Sequence, residues 1–194
     1  MRVLVVYCHP VEESFCAALR EAAVGTLEGR GDEVRLIDLY AEKFDPVMGR
    51  EERLAYHEGP PKDPALAAHI DALNWAAAII FIYPTWWYGL PAMLKGWLDR
   101  VWAMGVVFDL APNGGIVSRV RHIRKIGVVT TCGATRLLSF VMGQPGRKMI
   151  LRGIRSLCAL RTRTLYLAHY DMDNATPESR AAFLAKVRSR LKRF

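Results

Sequence analysis

Apolar and polar positions alternate along the chain in two rhythms. Five short segments read as strands: Arg2–Tyr7, Glu33–Asp38, Ala78–Tyr83, Ile126–Thr130 and Thr162–Leu167. The first is β-branched and unbroken in its apolar character, which suits a parallel sheet covered on both faces. Between them lie stretches with helical spacing. In Ser14–Arg30 the residues Phe15, Ala18, Leu19, Ala22, Ala23 and Leu27 share one face, and Gly31 is a stop signal. Pro64–Ala76, Pro91–Met104 and Pro177–Phe194 read as further helices, and so does the region around Leu137–Leu157, though Gly143, Pro145 and Gly146 interrupt it. Residues 44–63 carry Pro46, Gly49, Gly59, Pro60 and Pro61 and form an irregular excursion, which inside a compact domain points to function.

Strands separated by helices imply an α/β domain with right-handed crossovers. Of the two common doubly wound arrangements, the dinucleotide-binding one needs G-x-G-x-x-G after its first strand. Here that strand runs into Cys8-His9-Pro10-Val11-Glu12-Glu13-Ser14, without a glycine, and no phosphate-loop pattern occurs elsewhere. The expected fold is therefore flavodoxin-like: a doubly wound, five-stranded parallel sheet in the order 2-1-3-4-5, as one domain over residues 1–194.

Composition narrows this picture. With 52% hydrophobic and 24% charged residues the chain is too apolar for disorder, and its 194 residues suffice for a core without staples. Cys8, Cys16, Cys132 and Cys158 form no C-x-x-C pair and no zinc spacing, which fits a reduced, cytoplasmic protein. No apolar run is long enough for membrane insertion. The net charge of +8 is uneven: residues 1–100 hold 10 Lys+Arg against 15 Asp+Glu, and residues 101–194 hold 17 against 4. Such asymmetry signals an anionic partner. Nucleic acid is set aside, because the basic half has no helix-turn-helix, RNA-binding sheet signature or aromatic–basic interleaving.

Ligands of doubly wound sheets bind beyond the carboxyl ends of the strands. Three segments there carry unusual chemistry. In His9-Pro10-x-x-x-Ser14-Phe15-Cys16, a helix starting at Ser14 leaves amide donors for an anion, beside a hydroxyl and a ring nitrogen. Tyr83-Pro84-Thr85-Trp86-Trp87-Tyr88 puts four aromatics into six residues at a loop, a surface suited to a planar heterocycle. Thr130-Thr131-Cys132-Gly133 combines small and hydroxyl-bearing residues that permit close backbone approach. His57, His69 and His169 lack metal-ligand spacing and are expected at the surface or at caps. Arg136, Arg147 and Lys148 flank the expected site, where they would attract a phosphate group of the ligand.

These segments, extended through Gly89-Leu90-Pro91-Ala92-Met93-Leu94-Lys95-Gly96-Trp97 and joined by Leu54-Ala55-Tyr56-x-Glu58-Gly59, resemble the NAD(P)H:quinone oxidoreductases of the DT-diaphorase type. The resemblance covers most of residues 1–135. It implies that His9, Ser14, Phe15 and Cys16 contact the phosphates and ribityl chain of a flavin, FAD with FMN possible. It further implies that Pro84, Thr85, Trp86, Trp87 and Tyr88 hold the isoalloxazine, with Thr130, Thr131, Cys132 and Gly133 along its other side. A homodimer would pass a hydride from NADPH or NADH through the flavin to a quinone, azo compound or nitroaromatic. The flavin carries that chemistry, so no catalytic side chain and no metal are expected. The long mammalian members have a Tyr and a His shortly after the Thr-Thr segment, and residues 135–146 have neither at the matching place. Ancillary flavoprotein subunits of glutathione-gated potassium efflux systems share the fold and are the alternative reading.

Overall fold

The computed structural model describes residues 1–194. Five parallel strands form the central sheet: β1 (Arg2–Tyr7), β2 (Glu33–Asp38), β3 (Ala78–Thr85), β6 (Lys125–Cys132) and β7 (Arg163–His169). Their spatial order is β2-β1-β3-β6-β7, which is the expected 2-1-3-4-5 once the strands of this sheet are counted in sequence. Alternate residues of β1 feed two separate cores, and this is why its apolar run is unbroken. Leu4 and Val6 pack on one face with Leu73, Leu94, Trp97 and Ile150. Val3, Val5 and Tyr7 pack on the other with Leu19, Leu27, Phe183 and Val187. Each fully buried Val or Leu contributes about 1.5–3 kcal/mol, so a strand with both faces apolar stays central only if both are covered.

The helices supply that cover. α1 (Phe15–Glu28) and α7 (Pro177–Lys192) lie on the second face. On the first lie α3 (Ala67–Trp75), α4 (Ala92–Val101) and the wide-turned stretch Met149–Ile154. None is long and apolar enough to cross a membrane. The helix expected around Leu137–Leu157 is broken into α5 (Arg136–Val141), α6 (Pro145–Lys148) and the wide turns after it, because Gly143 takes φ +81° and Gln144 φ +49°. A small antiparallel hairpin, β4 (Phe108–Leu110) with β5 (Ile116–Ser118), lies outside the sequence reading. Its three-residue strands are too short to show a period.

The excursion after β2 contains one short α-helix, α2 (Arg50–Leu54), followed by a 3-10 turn at Ala55–His57, and is strapped along α4. A Cβ at Gly96 would stand 2.2 Å from the Pro46 carbonyl oxygen and 2.4 Å from the Pro46 Cβ. One at Gly105 would stand 2.4 Å from the Pro60 nitrogen. Between these contacts Arg100 is buried, donating from Nε to Glu52 Oε2 at 2.9 Å, from Nη2 to Asp63 Oδ2 at 2.6 Å and from Nη1 to the Asp45 carbonyl at 2.7 Å. Gly96→Ala is expected to cost about 1–3 kcal/mol, as overpacking against backbone does. Urea unfolding measures it, and a loss under half a kilocalorie (roughly the noise of surface changes) would show that the strap moves freely.

Two histidines depart from the surface or capping roles expected of them. His69 is buried against Phe44, and its Nδ1 accepts from the Trp97 indole N–H at 3.3 Å. His169 is buried in edge-on contact with Phe15 and Phe183, at centroid distances of 5.5 and 5.1 Å. Each lies on a mostly apolar face, which sequence spacing does not distinguish from an exposed one. His57 is exposed, as expected.

Candidate functional site

The carboxyl ends of β1, β3 and β6 are adjacent in the sheet, so the three segments singled out from the sequence meet along one edge. Ser14 caps α1, its Oγ accepting from the Ala17 amide at 3.1 Å. The amides of Phe15 and Cys16 have no acceptor, so the positive helix end keeps two free donors. Beneath them the Tyr7 hydroxyl is buried without a hydrogen-bond partner, and burial pushes its pKa up to about 12. His9 Nδ1 is engaged by the Val11 backbone, 3.0 Å from its amide and 3.2 Å from its carbonyl, which leaves Nε2 free of protein partners. Burial lowers the His9 pKa, so the ring is neutral at pH 7.

The side chains of Phe15 and Cys16 turn inward, and only their backbone remains at this edge. Phe15 packs on His169 and Phe183, while Cys16 Sγ lies 3.9 Å from Thr131 Oγ1. Burial raises the Cys8 and Cys16 thiols to about 12, so both are packing groups and not nucleophiles at neutral pH.

After β3 the chain reverses in a tight turn from Trp86 to Gly89, closed by the Gly89 amide on the Trp86 carbonyl at 2.9 Å. Its central residues, Trp87 and Tyr88, have φ +47° and +61°. Two positive φ values define a type I′ turn, usually made by Asn-Gly, and bulky residues there carry strain. The turn leaves Trp87 96% exposed. It is braced from behind by Gly146, whose amide points at the Tyr88 carbonyl at 3.5 Å and whose missing Cβ would stand 3.3 Å from Gly89.

The third segment completes the edge. Thr130 is fully buried and its Oγ1 lies 2.9 Å from Thr85 Oγ1, locking β6 to β3 below the turn. Pro84, Thr85, Trp86, Trp87, Tyr88, Cys132 and Gly133 line one open cleft of about 920 Å³. Thr130 and Thr131 lie under it, and His9 approaches it from the β1 side with its ring 6.2 Å from that of Trp86. The loop after β7 adds Met172 and Asp173, which the sequence reading missed. A Cβ at Gly133 would stand 3.1 Å from Asp173 Oδ2, so the glycine lets this loop close in. The signal was present, because Asp171–Asn174 also follows a strand at the same edge.

The arrangement has an anion-binding end, with free amides, an unpartnered hydroxyl and a neutral imidazole, joined to an open slot with aromatic side chains and polar backbone. That donor set fits a flavin, whose phosphate and planar ring need those two surfaces. Comparison with known proteins points the same way. A family model for the flavodoxin-like fold matches residues 1–191. NAD(P)H dehydrogenase (quinone) 1 of Cavia porcellus is 30% identical over 213 aligned positions, covering 98% of this chain and 76% of that one. Among solved structures, the NAD(P)H:quinone oxidoreductase from Methanothermobacter marburgensis superposes with a TM-score of 0.84 at 26% identity, covering 99% of this chain and 96% of its own. Smu.1420 from Streptococcus mutans gives 0.86 at 27% identity over the whole of both chains.

Proposed function

The chain belongs to the flavodoxin-like family of the NAD(P)H:quinone oxidoreductases and is an enzyme of that type, and from this we propose that it reduces quinones and similar electrophilic acceptors with NAD(P)H through a bound flavin. The observation that carries the reading is the junction of the unpaired Phe15 and Cys16 amides and the orphaned Tyr7 hydroxyl with the aromatic cleft along one sheet edge. When bound, the flavin supplies the chemistry, taking a hydride from the nicotinamide and passing two electrons to the acceptor.

The protein binds and positions. The Phe15 and Cys16 amides, Ser14 and His9 Nε2 would hold phosphate at the end of α1. The turn Trp86–Gly89 offers backbone groups to the polar edge of the ring, and its strain fixes their direction before the ring arrives. Thr131, Cys132 and Gly133 would form the floor opposite, small enough for close approach, with Thr130 buried beneath them as support. FAD, whose pyrophosphate matches the several donors at the α1 end, is the expected form, with FMN the alternative. A second copy of the chain is expected over the cleft mouth, where Trp87 and Leu138 are exposed at 96% and 45%.

The test is the visible spectrum of the purified protein. Oxidised flavin gives bands at about 370 and 450 nm, expected here to bleach on anaerobic addition of NADPH. Mass spectrometry of the released cofactor separates FAD from FMN. A colourless protein that takes up neither flavin overturns the reading.

A further inference from the structure

Across α5 from the cleft lies a second hollow, of about 810 Å³, between α5, β7 and α7. Three cations line it, Arg136, Arg147 and Lys186, and no carboxylate does. None of the three forms an ion pair, in contrast to the arginines Arg20 and Arg100, which each hold two or more acceptors. The four acidic residues of the second half are engaged away from the groove. Asp109 pairs with Arg119, Asp171 accepts from Asn174, Asp173 lies by Gly133, and Glu178 is in the first turn of α7. Three positive groups drawn to one hollow repel one another unless an anion sits among them.

The groove is also organised in advance. Gln144 adopts the left-handed φ of +49°, and its amide is held at both ends. Its Nε2 donates to the Tyr170 hydroxyl at 3.0 Å, and its Oε1 accepts from Arg147 Nη1 at 2.9 Å. The Arg147 guanidinium lies 5.0 Å from the Tyr166 ring centroid. Fixed on two sides, Arg147 retains most of its five donors in a fork that matches a phosphate. Phe140, 71% exposed, adds an apolar face at the groove wall. Lys148, expected with the two arginines, does not line the groove, and its Nζ approaches Gly143 instead. Lys186 takes that place from α7, 38 residues further on in the chain.

Consecutive residues of α5 serve the two hollows: Leu138 lines the cleft and Leu137 the groove. A helix is about 10 Å across, so a molecule with one planar ring in the cleft reaches the groove with its far end. We propose that the groove binds the adenosine 2′-phosphate end of NADPH, and that Arg147, Arg136 and Lys186 set a preference for NADPH over NADH. This rests on the flavoenzyme reading above. Gln144 is a positioning residue that aims Arg147.

Calorimetry on the flavin-loaded protein tests it with adenosine 2′,5′-bisphosphate against adenosine 5′-monophosphate. The bisphosphate is expected to bind at least about tenfold tighter, the value of one charge-assisted hydrogen bond. Arg147→Gln and, on a different element, Lys186→Gln are each expected to remove most of that preference. Both should lower the NADPH-to-NADH ratio of kcat/KM about five- to tenfold. Equal binding of the two nucleotides, or inorganic phosphate displacing the bisphosphate as well as the nucleotide does, overturns the assignment. A yellow protein bleached equally well by NADH and NADPH would sink the groove and leave the flavin reading standing. A colourless protein that still separates the two nucleotides would do the reverse.

Discussion

Arg100→Ala is expected to lose about 3 kcal/mol of stability, the lower end of the cost of breaking a buried ion pair by removing one partner. The side chain is 6% exposed and satisfies two carboxylates and a carbonyl from three points of the excursion. Without it Glu52, 18% exposed, is left in a poorly solvated site, whereas Asp63 at 37% recovers water. That difference places the cost at the lower end. Arg100→Lys should rescue little, since one ammonium cannot span three acceptors held by a planar fork. The loss also has a pH signature. The Ala65 amide and the Arg100 guanidinium hold the Asp63 carboxyl below the ordinary carboxylate range. A depressed folded-state pKa contributes stability that is present above the unfolded value of about 4 and is lost as pH falls through the lower folded value. The variant should therefore show a shallower acid-side decline than the parent protein. Urea unfolding between pH 3 and 7, with limited proteolysis of residues 45–63, measures both effects. A change below about 1 kcal/mol, the usual value of a surface pair, would mean that Pro46 and Pro60 hold the strap without the arginine.

This clamp shows where sequence reading stops. The five strands were legible because each has a compositional cause: β1 and β3 bury both faces, and their apolar runs say so. Once the strands and the missing glycine motif fix the winding, their carboxyl ends mark the site, and the Trp86–Tyr88 and Thr130–Gly133 segments fell in it. Arg100 was invisible because its partners lie 37 to 55 residues away and none is spaced to it by any helical or strand period. The loop after β7 was overlooked because Met172 and Asp173 are ordinary as types and gain meaning only from Gly133 beside them. The cationic groove was half visible. Arg136 and Arg147 stand out as a cluster, but Lys186 joins them only through the packing of α7 against the sheet. Trp87 and Tyr88 were noticed for their rings, whereas their left-handed backbone has no signal in a sequence lacking Asn-Gly.

That backbone supports the second large effect. Replacing Trp87 by Asn and Tyr88 by Gly together is expected to stabilise the flavin-free protein and weaken its hold on flavin. A bulky residue in the left-handed region costs about 1–2 kcal/mol, and the turn contains two in succession. Asn tolerates that conformation and Gly is unrestricted in it, though Gly returns about 0.5–1 kcal/mol through chain entropy. Trp87 is 96% exposed, so removing its ring forfeits almost no burial, whereas the half-buried Tyr88 ring gives up some of its contacts and offsets part of the gain. A net gain of about 1–2 kcal/mol follows, which raises Tm by about 2–4 °C per kcal/mol in a chain of this length. Flavin, by contrast, loses the aromatic contacts and the rigid backbone that would hold it, and its Kd should rise at least about tenfold. Scanning calorimetry of the flavin-free protein and fluorescence titration with FAD measure the two quantities independently. If Tm falls, the turn is not strained and its geometry comes at no cost. If Tm rises while flavin affinity stays constant, the rings are not where the cofactor lies. Opposite movement of the two is what separates strain kept for binding from strain that is merely tolerated, because only the first exchanges stability for a pre-aimed site.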